Sequence, residues 1–431
     1  MTGGQELYEV ARAQAIPSRW VSMSQAEGLV IEAMGPTISI TQPPPRKGTV
    51  VRDARGGEQR EWALPGWHEE WAPTGAPIES FDWTGVRPVA GVSLEEKLEA
   101  VTRLRDRLTG RDPRIVQVMV RYEEVTEETR IATDAFDRRS RIGRVNFLAH
   151  VVVHQDGRSD HDYVSRGEIG GFEVASITDE QCDRLVENAL RLLEAVPVDP
   201  GVYCVVTHPE VSGVLAHEAF GHGVEMDLFL SDRARARRYI GQRVGSEFAT
   251  IIDDPTLPGG FGGYPFDDDG ALAKPHVILD RGTLVGGLAD ADVSQAIPAD
   301  GGNGRRQDYS RKVYPRMSNT YFQPGHRSPE ELIAGVEHGI YLRRVESGME
   351  DPRNWGLQIT CHVGEQIEGG RLTGKLYRTL GMTGYVPDVL RSIDGAASDF
   401  EKSAGHCGKG WKEWTTNGTG GPHLRMTARI G

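Results

Sequence analysis

A chain of 431 residues exceeds what one hydrophobic core usually supports, so two or three domains are expected. With 38% hydrophobic and 26% charged residues it is globular rather than disordered, and it contains no apolar run long enough for a membrane helix. The net charge of −13 argues against nucleic acid as the main partner, because phosphate binding needs clustered Lys and Arg.

The opening residues, MTGGQELYEVARAQAIPSRW, hold no apolar core of the signal-peptide type, which leads to the expectation of a cytoplasmic protein. Cys182, Cys204, Cys361 and Cys407 are scattered without a CxxC pair, so buried thiols are expected rather than a disulfide framework.

In chain order, residues 1–92 are rich in proline and predict short strands joined by turns. Ser93 caps a helix over SLEEKLEAVTRLRDRL, with Glu95 and Glu96 in its first turn. Two alternating segments follow, RIVQVMVRYEEVTEETRIATD and RVNFLAHVVVHQDGRSD, and then a second helix capped by Thr178. This order predicts an α+β domain with an antiparallel sheet over residues 1–196. Residues 197–431 predict a β-rich second domain with glycine turns. Hairpins are expected in KPHVILDRGTLVGGLAD and LQITCHVGEQIEGGRLTGKLYRT, and one helix over SPEELIAGVEHGIYL with Ser328 as cap and Pro329 at its first position. The basic run Arg233–Arg238 reads as the polar face of a helix.

Chemistry concentrates in LAHEAFGHGVEMD, residues 215–227. In H-E-x-x-H the histidines lie four apart, about 40° around a helix, and face one metal. His217 and His222 are five apart, about 140° on a regular helix. They converge only if the helix is bulged or terminates, and Gly221 is the residue that permits either. A two-His site needs a third protein ligand and leaves a position for water, whose proton Glu218 is placed to take. Cys407 in AGHCGKG, read as a glycine-flanked loop beside Lys409, is a candidate third ligand, and His406 and His423 compete with it by spacing.

Other residues carry weaker signals. Asn303, Gly304, Arg305 and Arg306 form a basic turn, equally suited to clamping a substrate carboxylate or to a structural role. Tyr309, Arg316 and Asn319 are candidate stabilisers of an oxyanion. Asp253, Asp254 and Asp267–Asp269 lack the alternation of a calcium loop and read as turn and strand-end residues. His338 and His362 read as ordinary polar residues of a helix and a strand.

Together HEAFGHGVEMD, FDDDG at 266–270, GGNGRRQDYSRKVYPRMSNTYFQPG at 301–325 and CGKG at 407–410 resemble the TldD/PmbA family, once called modulators of DNA gyrase. The likeness spans roughly residues 205–431 and is nearest the TldD branch. It implies a zinc metallopeptidase with His217, His222 and Cys407 on the metal and Glu218 as general base. It also implies a strongly curved, β-rich C-terminal domain carrying the metal-binding helix. The implied assembly is a dimer, with a PmbA-like subunit or a second copy, enclosing a cavity for unfolded or flexible peptides. Two stretches depart from the pattern: WKEWTTNGTGGPHLRM after CGKG, with Trp411 and Trp414, and residues 43–92. The first departure favours an alternative, an amide hydrolase or tailoring enzyme acting on a small metabolite of a biosynthetic pathway in an aromatic-lined pocket. A non-catalytic scaffold holding structural zinc is a third possibility.

Overall fold

The computed structural model describes residues 8–9, 19–55, 58–409 and 412–431, so Trp411 lies outside it. Three long strands form the middle of the first sheet, which has nine strands among the described residues. Arg19–Met34 pairs antiparallel with Ile115–Thr133, from Trp20 opposite Thr133 to Met34 opposite Met119. Ile115–Thr133 pairs in turn with Asp137–Gln155, and that strand with Arg158–Ile169.

Alternation in VNFLAHVVV puts Val145, Phe147, Ala149, Val151 and Val153 on one buried face. Two helices cover that face, α1 (Leu94–Thr109) through Val101, Leu104 and Leu108, and α2 (Asp179–Leu192) through Cys182, Leu185 and Ala189. Ser93 caps α1, accepting from the Glu96 N–H, and Thr178 caps α2 in a capping box with Gln181. The expectation of only short strands before residue 92 is corrected here. Arg19–Met34 runs for 16 residues because both its edges are paired, with Ile115–Thr133 on one side and with Arg46–Arg55 and Thr37–Thr41 on the other.

The second half builds two further sheets. Gly201–Thr207 runs parallel to His338–Asp351 and antiparallel to Leu424–Ile430. Gly356–Glu368 and Arg371–Tyr385 extend the series, and Arg371–Tyr385 returns to Leu424–Ile430, closing a five-stranded barrel. The other sheet has six strands, with Asn319–Phe322 parallel to Lys412–Gly421 and Glu401–Lys409 at one edge. Both expected hairpins form, His276–Asp280 with Thr283–Leu284 and Gly356–Glu368 with Arg371–Tyr385.

Between barrel and sheet lies α3 (Pro209–Phe220), packed on both and buried on nearly every side. Its sequence is apolar around most of its circumference, as a fully enclosed helix requires. Gly213 lets it approach the sheet, since a Cβ there would lie 2.6 Å from the Gly420 nitrogen.

Two sequence expectations fail in this half. The helix over SPEELIAGVEHGIYL spans only Pro329–Ala334; it stops at Gly335, and GIYL pairs with Cys204–Thr207 as barrel strand. His338 is therefore a strand residue, exposed and 2.9 Å from Glu368. The Arg233–Arg238 run forms a 3-10 turn, Arg235–Tyr239, and not a longer helix, with Arg237 donating to the Phe229 carbonyl at 2.9 Å.

The two halves are joined by polar contacts. Arg144 of the first sheet, 2% exposed, donates to the carbonyls of Phe261 at 2.8 Å and Gly263 at 2.7 Å. Arg344 of the barrel pairs with Asp162 at 2.6 Å. Among the described residues no helix is long and apolar enough to cross a membrane.

Losing the α2 cap leaves first-turn N–H groups without their side-chain acceptor. Thr178→Ala is expected to lower stability by about 1 kcal/mol, read from the shift in urea midpoint at unchanged slope.

Candidate active site

The helix α3 ends at Phe220, where Gly221 adopts φ −89° and ψ −72°, its N–H still bonded to the His217 carbonyl at 2.9 Å. A Cβ on Gly221 would meet that carbonyl oxygen at 2.2 Å, so no larger residue keeps this turn. A three-residue 3-10 turn, His222–Val224, follows and swings the second ring back toward the first. The His217 and His222 ring centroids then lie 5.0 Å apart at 86°. Termination, rather than an internal bulge, thus resolves the five-residue spacing.

Cys407 approaches from the far end of the sequence. It belongs to the strand Glu401–Lys409, which corrects the expectation of a loop; the Lys412–Gly421 strand pairs with it, and the register shifts between Cys407 and Lys409. Such irregularities re-aim side chains beside functional sites. The Cys407 Sγ is 3.1 Å from His222 Nε2, and one ligand atom from each of His217, His222 and Cys407 lies within 4.8 Å of the others. His406 and His423 do not join this group. The His406 ring packs beside Phe261, with centroids 5.8 Å apart, and His423 is held by Asp399 at 2.7 Å and the Tyr341 hydroxyl at 2.9 Å.

A buried carboxylate organises the surroundings. Glu225, 1% exposed, accepts from Arg316 at 3.0 Å and from Lys409 at 2.9 Å, and faces His222 Nδ1 at 3.7 Å. Burial alone would raise its pKa, but Lys409, His222 and Arg316 hold the carboxyl well below the ordinary range. Arg316 also donates to the Cys407 carbonyl at 2.9 Å and reaches its sulfur at 3.1 Å. Burial would raise the Cys407 thiol too; His217 and His222 outweigh it and bring the pKa down to about 5. Cys407 and Glu225 in turn lift His222 well above its usual value despite burial. A preformed thiolate flanked by two imidazoles is the donor set of a three-ligand zinc site, so these residues fit that metal.

Glu218 lies over the barrel strand His338–Asp351 at Gly348. A Cβ there would meet Glu218 Cγ at 2.7 Å and Oε1 at 2.9 Å, so glycine is what leaves room for this carboxylate. Two adjoining cavities of about 1000 and 1150 Å³ meet along His217, Glu218, Gly348, His406 and Trp414. The smaller lies between the first sheet and the barrel, walled by Leu148, Tyr163 and Arg343 among others. The larger holds His222 and Cys407.

Glu350 also faces the larger cavity, and no sequence signal marks it. Both its oxygens are buried without a hydrogen-bond partner. Burial first, then the charges of Glu218, Asp351 and Glu225, push it up to about 9 against the pull of His222. A carboxyl group with raised proton affinity thus stands in the same cavity as His222 and Cys407.

The remaining predicted residues are placed elsewhere. Arg305 is buried and donates to the Met317 carbonyl at 2.8 Å and to Thr416 Oγ1 at 3.0 Å. Arg306 reaches Ser22 at 2.6 Å, and its N–H goes to Asp268 at 2.8 Å. Tyr309 packs against Gly48 and lines a small cavity of about 110 Å³ with Arg305 and Arg306. Asn319 bonds the Gly262 N–H at 3.0 Å and the Asp254 carbonyl at 2.8 Å. None of these four lines the cavities around Glu218. Arg316 is 1% exposed, reaches the Cys407 sulfur at 3.1 Å and lines neither of these cavities. The acidic segments are their partners: Asp253 accepts from Asn303, Ser318 and Thr320, and Asp267 from the Gly304 N–H.

Residues 200–430 match the PmbA/TldA metallopeptidase C-terminal domain, and residues 87–195 the central domain of the same proteins. The chain belongs to the PmbA/TldD metallopeptidase family. A metalloprotease of Methanocaldococcus jannaschii is 32% identical over 82% of this chain and 78% of its own length. A zinc metalloprotease TldD homolog of Saccharolobus solfataricus is 28% identical over 77% and 75%. A metalloprotease of Methanothermobacter thermautotrophicus is 34% identical, the match covering 66% of this chain and 62% of that one. The fold is shared with a Thermotoga maritima protein named for modulation of DNA gyrase, at 16% identity, TM-score 0.79 and 96% coverage of both chains. TldE from Thermococcus kodakarensis shares it at 13% identity and TM-score 0.71, again with 96% of each chain covered.

Two outcomes follow from the electrostatics. Glu225→Gln removes the charge that compensates buried Arg316 and Lys409, and is expected to cost about 3–5 kcal/mol in chemical denaturation. In metal-free protein, alkylation of Cys407 should stay fast down to about pH 6 and slow as pH falls through about 5, because the reactive thiolate exists above its pKa. Peptide mapping after iodoacetamide across that range checks it.

Proposed function

We propose that this chain is a zinc-dependent peptidase in which His217, His222 and Cys407 hold the metal and Glu218 is the general base. One observation carries the reading: three ligand atoms within 4.8 Å of one another stand beside a glutamate that lines the same cavity. When bound, zinc supplies Lewis acidity, lowering the pKa of a water toward neutrality and polarising a carbonyl oxygen. Glu218 accepts the proton of the attacking water and delivers it to the departing amine nitrogen. Gly348 leaves the space in which its carboxylate sits. Arg316 holds the Cys407 strand and sulfur in place.

The substrate we infer is an extended, unfolded peptide. Compact ligand sites occupy roughly 300–1000 Å³, whereas two cavities of about 1000 and 1150 Å³ adjoin here with Glu218 where they meet. Such a path suits a chain that continues on both sides of the cleaved bond. The enclosing partner would be a second copy or a TldE-type subunit, a reading supported by the fold shared with TldE over 96% of the chain.

A second reading, hydrolysis of a small amide, is favoured by Trp414, which is 52% exposed and lines both cavities. An aromatic wall there suits a compact ligand better than a variable peptide.

The test is Glu218→Gln. It should retain the zinc of the parent while losing at least about 100-fold in turnover of unstructured peptides, assayed alone and with a TldE-type subunit. Unchanged turnover would remove Glu218 from the mechanism. Turnover of small amides with no cleavage of peptides would select the second reading.

A further inference from the structure

Where the first sheet meets the barrel, three imidazoles lie in a row. His150 of Asp137–Gln155 is 4.9 Å from His161 of Arg158–Ile169, centroid to centroid, and His161 is 4.3 Å from His362 of Gly356–Glu368. Carboxylates flank them. Asp160 Oδ1 is 2.8 Å from His362 Nε2, and Glu346 Oε1 is 3.2 Å from His362 Nδ1. Asp160 and His362 are buried, 7% and 8% exposed. The His362 Nδ1 is buried, and its contact with Glu346 lacks hydrogen-bond geometry.

Hydrogen bonding alone accounts poorly for this group. Rings whose centroids lie 4.3 and 4.9 Å apart repel one another when charged, so the row cannot carry three protons cheaply. Burial and the neighbouring His161 lower the pKa of His150. Burial opposes protonation of His362 as well, but Asp160 and then Glu346 reverse that effect. An imidazole beside a buried carboxylate can exchange its proton for a metal ion, and imidazole with carboxylate is a donor set that zinc and its neighbours accept. One ligand atom each from Asp160, His161 and His362 lies within 4.8 Å of the others, the same closeness found at His217, His222 and Cys407.

We propose that Asp160, His161 and His362 bind a second divalent transition-metal ion, with the Glu346 carboxylate in reach as a further donor. Asp160, His161 and His362 line neither cavity at Glu218, so this site is separate from the hydrolytic one. Asp160 and His161 come from the first sheet and His362 from the barrel, so the ion cross-links the two halves. Tyr163, two residues on from His161, and Glu346, on the barrel strand paired with that of His362, wall the smaller cavity, so the clamp fixes one side of the substrate path.

Equilibrium dialysis of metal-stripped full-length protein against zinc alone, with bound metal counted by atomic emission, tests this. Cys407→Ser, which disables the other site, is expected to keep about one zinc per chain and to melt higher when zinc is added. Adding His161→Phe, which preserves the ring stack without a donor, should abolish both the bound zinc and the zinc-dependent rise. If that double variant fails to fold, Asp160→Asn in the Cys407→Ser background serves the same comparison. A Cys407→Ser chain that binds no zinc, or second-site variants that bind as much as Cys407→Ser alone, would overturn the proposal.

Discussion

Glu225 places one negative charge, 1% exposed, between the guanidinium of Arg316, the ammonium of Lys409 and the imidazole of His222. Those partners come from the turn after α3, the segment just before the strand Asn319–Phe322, and the edge strand Glu401–Lys409. Charges so deeply buried are tolerable only when matched, since several kcal/mol of hydration is lost for each ion. The match here fixes geometry more than it adds stability. Arg316 can neutralise Glu225 only where it also reaches the Cys407 sulfur, and Lys409 only where its strand turns that sulfur inward. Position of the thiolate is thus set by the ion pairs behind it, as outer partners commonly orient ligands around a metal.

Much of this was legible in the residues, and the parts that were not share a cause. Periodicity and capping signals located α1 and α2 because both are local, carried by Ser93, Thr178 and apolar spacing. HEAFGH and CGKG drew attention as motifs, and their side chains do meet. By its chemistry alone Arg316 is a group that stabilises anions. Its partners lie 91 residues away in both directions, so nothing local distinguishes a cation behind a ligand from one facing a substrate. Gly348 and Glu350 carry no sequence signal at all, because their roles depend on which helix lies across their strand.

The same logic explains the failed elements. Local rules favoured continuing a helix through Gly335 and leaving Cys407 in a loop. Pairing in the barrel overrode the first, and pairing with Lys412–Gly421 overrode the second. In both cases the deciding partner was a strand remote in sequence, where propensity yields to hydrogen bonding and burial.

The distance along the chain between His222 and Cys407, 185 residues, has a consequence for how the protein is made. On a ribosome the HEAFGH turn emerges long before the strand that carries Cys407. Until Glu401–Lys409 pairs with the strand after it, the nascent chain has two histidines and a glutamate but no assembled centre. The proposed activity would then stay off while the chain and its neighbours are still unfolded, the state in which polypeptides are most easily cut.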